Sequence, residues 1–556
     1  MPAKYIEQLA AIRATVGILA RRTAALAAAL ALASLASFQA VADDTAAVLV
    51  LRGGAVFDPV AKTVAADRTV VIEGSRIRAV GGAETTVPSG ARVVDCRGKF
   101  LIPGLIDAHV HLVHLADLSH VAGDQYLPMF LAHGVTSVRD TGDAIVAQAV
   151  IARYAEQHPE ICPRVFLCSP LVDGDPVFHP GTGYALTDPA KVPAFVRDMV
   201  GWNVTTLKIY VGTPAAIGRQ VIKEGHRAGL KVTAHLGVYT AQDAVLDGID
   251  CLEHIESVFN YIIPADVTRQ PDYRSHLDLH NQRANALLAA LAQHHVSVDP
   301  TLVVFRNMIY LNDVEEVNLS PDLLRVPRQM LDYWQAYRQA SNLPLSTRDA
   351  RRKLIGKYQE LTGLLHNAGV KLLVGTDSPE PFVPPGASMH QELEMFVGSG
   401  LTPSEALAAA TINVAEALGQ QQELGSITAG KLADLVILDA DPTVDIRHAR
   451  KIHAVVHGGH VCDPQTVLKS MPARSASTIR GGGAMVTVRR DNTFPTGELC
   501  FIGFSVTSVV SEPSILAFDA FGCYVRVFVN RGQSSRGTQL AERGLAARWS
   551  ATGPAW

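Results

Sequence analysis

The stretch Pro103-Gly104-Leu105-Ile106-Asp107-Ala108-His109-Val110-His111 reads as an apolar strand that ends in a His-x-His pair. Successive side chains of a strand point to opposite faces, so His109 and His111 share one face and both imidazoles can reach a single metal ion. Two histidines on a strand also have a bland explanation as surface or structural residues. The apolar run before them and the neighbouring Asp107 favour the metal reading. From Phe100 onward, apolar strand-like runs alternate with helical stretches. The strand candidates are 101–107, 136–139, 165–169, 206–210, 231–234, 248–253, 296–300 and 371–376, with helical patterns between them, as at 214–228 and 241–246. Eight strands alternating with helices over about 300 residues predict a (β/α)8 barrel. The main alternative is a doubly wound open sheet, with its ligand at a topological switch point.

Four more ligand-type side chains stand on or at the ends of later strand candidates. Lys208 lies inside Thr206-Leu207-Lys208-Ile209-Tyr210, where a lysine is costly unless neutralised or paired, or turned to solvent. His235 ends 231–235, His254 follows Cys251-Leu252-Glu253, and Asp377 follows Gly375-Thr376. Singly, each reads as an ordinary polar residue. Together with His109 and His111 they gather at the C-terminal face of the strands, where barrel enzymes keep their chemistry. His179, in Pro176-Val177-Phe178-His179-Pro180, is a candidate for substrate or oxyanion contact, balanced by a plain loop reading. Tyr210 and Tyr239 are weaker substrate-binding candidates. His114, His133, His226, His294 and His295 fall on turns or helices and read as structural.

The flanks differ from the barrel. Residues 43–100 read as short strands broken by Gly53-Gly54, Gly81-Gly82 and Ser89-Gly90. Strand-like runs return at 435–439 and 454–457, so 426–468 can rejoin the first flank. The expected fold class is therefore α/β: a (β/α)8 TIM barrel at 101–425 with a small discontinuous β-sandwich domain from the two flanks. Residues 1–42 carry Lys4, Arg13, Arg21 and Arg22 against Glu7, then an Ala/Leu run from Ala24 to Phe38, then Ala40-Val41-Ala42. This order is that of a secretory signal peptide and predicts a periplasmic or secreted protein; an uncleaved membrane anchor ranks second. Residues 469–556 form an extension to which no chemistry attaches. The chain has 556 residues, a formal charge of −4 and seven cysteines without a C-x-x-C pair. Nothing here points to nucleic acid, to a disulfide framework, or to a membrane once the leader is removed. Cys162 and Cys168 are the nearest cysteine pair.

Taken in order, Pro103–His111, Gly134–Asp140, Leu207–Tyr210, Thr233–His235, Glu253-His254, Gly375–Ser378 and Leu424–Val436 resemble the amidohydrolase superfamily of metal-dependent hydrolases. Within it, the resemblance is to imidazolonepropionase-like and prolidase-like members and covers about residues 47–468. It implies two divalent metal ions, with zinc expected. His109, His111 and Asp377 would hold one, His235 and His254 the other, and Lys208, carbamylated by CO2, would bridge them. A carbamate is an anionic oxygen ligand, which explains a lysine in an apolar strand. A metal-bridging hydroxide would attack the substrate carbonyl, and Asp377 would pass its proton to the leaving group. Prolidase-like members place a Tyr directly after the strand-5 His; this chain has Leu236 there, which weighs against strict dipeptidase specificity.

The expectation is an exported enzyme cleaving the C–N bond of a dipeptide, an N-acyl amino acid or a related small-molecule amide. A lactonase or organophosphate hydrolase on the same site is the first alternative, and a non-catalytic binding protein of the same fold the second. A homo-oligomer is compatible with all three. The long connection at 305–366, with Leu331, Tyr333, Trp334 and Tyr337, reads as core packing or as a lid over the active face.

Overall fold

The computed structural model describes residues 48–264, 273–312, 321–341 and 345–471, with the short pieces 480–481, 484–487 and 505–506. The leader reading at 1–42 and most of the 469–556 extension lie outside these residues. The chain divides into two compact units, 1–473 and 474–556. Within the second, Arg480–Gly481, Ala484–Thr487 and Ser505–Val506 make a small antiparallel three-stranded sheet.

In the first unit, the N-terminal flank supplies β1 (Leu49–Asp58), β2 (Thr63–Glu73), β3 (Arg76–Gly81), β4 (Arg92–Asp95) and β5 (Phe100–Pro103). The apolar run read as one strand from residue 101 is in fact two. It breaks at Gly104 into β5 and β6 (Leu105–Val110), which belong to different sheets. Gly104 is needed there: a Cβ on it would lie 2.1 Å from the Thr136 hydroxyl.

The strands that follow are β7 (Val135–Asp140), β8 (Arg164–Phe166), β9 (Cys168–Asp173), β10 (Gly183–Ala185), β11 (Thr206–Ile209), β12 (Lys231–Ala234), β13 (Cys251–Glu253) and β14 (Ser297–Asp299). They form two sheets, β6-β7-β8 and β10-β9-β11-β12-β13-β14, and every pairing is parallel. Strands such as β6, β7 and β11 are buried at every residue, as expected where helices cover a parallel sheet.

The eighth expected strand, 371–376, is not a regular strand. The segment is held by isolated parallel bridges, Leu372 to Val298 of β14 and Ser378 to Val110 of β6. The ladder of this segment is interrupted: Val374 N bonds Ala409 O (3.2 Å) instead of a neighbouring strand, and Thr376 N bonds the Asp107 carboxylate (3.0 Å), after which Asp377 leaves the run in a left-handed backbone (φ 61°). Its backbone is nonetheless tied to both neighbours, through Leu373 N to Val298 O (2.9 Å) and Asp377 N to His109 O (2.7 Å).

The helix Ala215–Arg227 shows how the connections pack. It buries Ile217, Val221, Ile222 and Gly225 on one stripe and carries His226 and Arg227 in its last turn, where cations suit the helix dipole. Gly225 lets it approach closely, since a Cβ there would meet Leu207 and Val232 at 2.9 Å.

The C-terminal flank adds β15 (Leu435–Leu438), β16 (Ile452–His457) and β17 (His460–Cys462). Both flanks join in one eight-stranded sheet, β17-β16-β15-β5-β1-β2-β3, with β4 beside β1. Leu101 sits opposite Ile437, and the two flanks share an apolar cluster that includes Leu51, Ile72, Leu101, Leu435, Ile437 and Val456. The region 305–366 carries the helices Leu302–Ile309, Arg328–Ala340 and Leu345–Asn367. Trp334 is fully buried there and donates its indole N–H to Pro379 O (3.1 Å), so it is a packing anchor. The five described cysteines are buried free thiols. Among the described residues, no helix is long and apolar enough to cross a membrane.

Candidate metal centre

The ends of β6, β11, β12 and β13, with the 371–378 segment, bring five of the residues read as ligands into contact. His109 Nε2 lies 3.5 Å and His111 Nε2 3.4 Å from the same Asp377 oxygen, and His254 Nδ1 is 3.9 Å from the other. The His254 ring centre is 4.6 Å from that of His109 and 4.3 Å from that of His235. Continuing round, His111 neighbours His114 (5.0 Å), His114 neighbours His179 (4.5 Å), His179 Nε2 meets the Tyr210 hydroxyl (3.0 Å), and Tyr210 neighbours His235 (5.2 Å). Seven rings thus form a closed circuit. Lys208 belongs to β11, paired between β9 and β12, and is 1% exposed.

Unpartnered atoms show what this circuit fits. His109 Nε2, which faces Asp377, and Lys208 Nζ are buried without a hydrogen-bond partner. Buried polar atoms are ordinarily satisfied, so such a group of orphans calls for a partner of another kind. Ligand atoms of His109, His111 and Asp377 lie within 4.8 Å of one another. A set of imidazoles and carboxylate suits zinc and similar divalent cations.

The electrostatics agree. Burial, reinforced by the Lys208 charge, pushes His109 down to about 4 and His235 down to about 3. Burial and the charge of His235 hold His254 well below its usual range. These imidazoles are therefore neutral, the form that ligates a metal. Burial opposes ionisation of Asp377, but His109 and His111 outweigh it and hold the carboxyl well below its usual range. Burial pushes Lys208 down, toward the neutral amine. His179 is pushed down to about 3 by burial and by His114. Burial drives the Tyr210 phenol up, so its hydroxyl is the donor in the bond to His179.

Behind the ligands lie residues the sequence reading left without a role. Glu253 accepts from His109 Nδ1 (2.8 Å), from Arg139 Nη2 (2.5 Å) and from the Thr233 hydroxyl. The Asp299 carboxyl is 3.6 Å from the same Nδ1. Burial and the Glu253 charge push it well above the carboxylate range. Thr301 binds His254 Nδ1 at 2.7 Å. Gly375 leaves the space that the Asp299 and His109 side chains fill: a Cβ there would lie 2.1 Å from Asp299 Oδ2.

His114, read as structural, belongs to the circuit. It pairs with Glu380 (3.3 Å) and joins His111 and Asp143 in a second group of convergent ligand atoms. Burial pushes His114 down, but Glu380 more than offsets this and raises it. Of the other histidines read as structural, His133 bonds Met129 O (2.7 Å) and His226 bonds Asp250 (2.8 Å). Tyr239 bonds Asp247 (2.7 Å) and packs against Gly218, which gives it a packing role away from the circuit.

Comparison with known proteins follows the same lines. Residues 100–462 match the amidohydrolase family. The chain is 25% identical over 398 residues to an imidazolonepropionase of Sphingopyxis alaskensis, an alignment covering 68% of this chain and 87% of that protein. It is 27% identical over 384 residues to the imidazolonepropionase of Rhizorhabdus wittichii, covering 65% and 84%. Among solved structures, a Xaa-Pro dipeptidase with methionine bound in its active site superposes with a TM-score of 0.56 at 18% identity, covering 75% of this chain and 99% of that one. Molinate hydrolase superposes with a TM-score of 0.56 at 20% identity, covering 78% and 99%. These likenesses mark a TIM-barrel-like α/β fold.

Proposed function

Because the chain belongs to the amidohydrolase family and is a hydrolase acting on C–N bonds, we propose that it is an exported, binuclear metal enzyme. Its substrate would be a dipeptide, an N-acyl amino acid or a related small amide. The observation that supports this most is the set of orphaned buried nitrogens, His109 Nε2 and Lys208 Nζ above all, in the site that Asp377 closes.

In this reading His109, His111 and Asp377 would hold one ion and His235 and His254 the second, with Lys208, carbamylated by CO2, as a further anionic oxygen ligand. Two bound zinc ions would supply Lewis-acid polarisation of the carbonyl and a water acidic enough to attack at neutral pH. The Asp377 carboxyl, held in its ionised form among the imidazoles of His109, His111 and His254, would take a proton from the attacking water and deliver it to the leaving amine. His179, neutral, hydrogen-bonded to Tyr210 and part of the same circuit, would orient the substrate carbonyl. The same reading includes a closed eight-stranded barrel, a sandwich arrangement of the flanking sheet, and removal of residues 1–42 on export.

The test is a substrate screen of zinc-loaded protein with a metal count on the same sample. Dipeptides and N-acyl amino acids are set against lactones and phosphotriesters. Two zinc ions per chain and turnover of amides are expected. A protein that binds one ion, or that turns over lactones or phosphotriesters faster than any amide, would overturn the proposal.

A further inference from the structure

We infer that Glu253 is a positioning residue that fixes the tautomer and orientation of His109, and that Arg139 and Thr233 hold Glu253 in place to do so. This rests on the metal role proposed for His109. Four observations carry it. Glu253 is fully buried at the end of β13, on the far side of the His109 ring from Asp377. Its Oε2 accepts from His109 Nδ1 at 2.8 Å, which puts the proton on Nδ1 and leaves Nε2 with its lone pair. That Nε2 is the atom found buried without a partner beside Asp377. The other carboxylate oxygen, Oε1, is held by Arg139 Nη2 and by the Thr233 hydroxyl, so the group cannot rotate away from the imidazole.

Arg139 is fixed in turn. It is buried on β7, and its Nε donates to Ala108 O, the residue before His109 in β6. One guanidinium therefore ties the carboxylate to the strand that carries the ligand. A chain of side chains from β7, β12 and β13 thus converges on one nitrogen of β6. A carboxylate on the far ring nitrogen makes the imidazole a better ligand and narrows its orientation, and loss of such a partner typically lowers metal affinity about 10–100-fold.

Zinc affinity of the metal-free protein, measured by competition with a chromophoric chelator, tests this without reference to turnover. E253Q removes the charge at nearly constant shape. T233V removes one hydroxyl that holds the carboxylate and leaves the ion pair intact, so it still reports if E253Q does not fold. Parent zinc binding with a loss of about 10-fold or more in E253Q, and a smaller loss in T233V, is expected. The His109 ring nitrogens, followed by 15N NMR, should shift from a single Nδ1–H tautomer to a mixture in E253Q. A structural role alone would lower the unfolding midpoint and leave both readouts unchanged. A parent that binds zinc, with T233V and any folded E253Q binding it as tightly, overturns the positioning role and leaves the metal centre standing. A parent that takes up no zinc overturns the metal centre and the positioning role together.

Discussion

Replacing Lys208 by methionine separates what the centre costs from what it does. The Lys208 amine is buried, its Nζ has no hydrogen-bond partner, and burial pushes its pKa down. An unsatisfied polar group in a protein interior costs roughly 1–3 kcal/mol by mutational measures. Methionine has a similar unbranched shape and fills the same space without a polar end. Metal-free K208M should therefore be more stable than the metal-free parent by about 1–3 kcal/mol, while losing the second metal ion and turnover.

The pH dependence has a definite sign. The folded lysine releases its proton more readily than the unfolded one, so the unfolded chain binds more protons and parent stability rises with pH. The advantage of K208M should accordingly shrink as pH approaches 10.5, the ordinary lysine value. Equilibrium urea unfolding of chelator-treated proteins at pH 7 and pH 9.5 reads both effects. If metal-free K208M unfolds at lower urea than the parent, Lys208 makes stabilising contacts of its own and its buried amine carries no net cost.

Three further outcomes can be checked. D377N keeps the side-chain shape and removes the proton acceptor, so kcat should fall about 10²–10⁴-fold, with metal content measured on the same sample; full-rate hydrolysis with both ions bound would remove the proton-transfer role. W334A empties the site of a fully buried indole packed 5.7 Å from the Phe382 ring and leaves the Pro379 carbonyl without its donor. A loss of about 3–5 kcal/mol by urea unfolding is expected, with W334F losing less. Asp434 accepts from His457 Nδ1 and Gly458 N at 2.9 Å, and although burial opposes it, the His457 interaction lowers its pKa below 3.8. Its contribution is in full above that value and is lost as pH falls through the lowered one. D434N should thus cost about 1–3 kcal/mol at pH 7, and the gap to the parent should close in acid unfolding scans below pH 3.8.

Much of the centre was legible because its chemistry sits on strand ends. Alternation paired His109 with His111, and a lysine inside an apolar strand flagged Lys208. The same signal is present at Arg139 and Glu253, charged residues within or ending apolar strands. Their roles are invisible along the chain because each is defined by a contact between strands of different sheets: Arg139 of β7 with Glu253 of β13, and Glu253 with His109 of β6. The neighbours of His114, Glu380 and His179, are likewise not visible from spacing along the chain. The division of 101–107 between two sheets was hidden for a different reason. An apolar run announces burial but not which layer buries it, and Gly104 marked the break only through its closeness to Thr136. At 371–376 the residues read as an extended strand, and its ladder is broken where Val374 N turns to Ala409 O and Thr376 N to the Asp107 carboxylate, contacts that no spacing along the chain reveals.

The pairing of β5 with β15 sets an order on how the molecule can come to be. Leu101 meets Ile437 only after nearly the whole barrel sequence lies between them, so this is among the longest loops the chain must close. Until β15 arrives, β5 has one unpaired edge, directly ahead of the strand that carries the His-x-His pair. A nascent or truncated chain ending before Leu435 would present that edge to other copies of itself, a setting for aggregation. The C-terminal flank thus works as a late fastener, and whatever slows its docking lengthens the time the chain spends open.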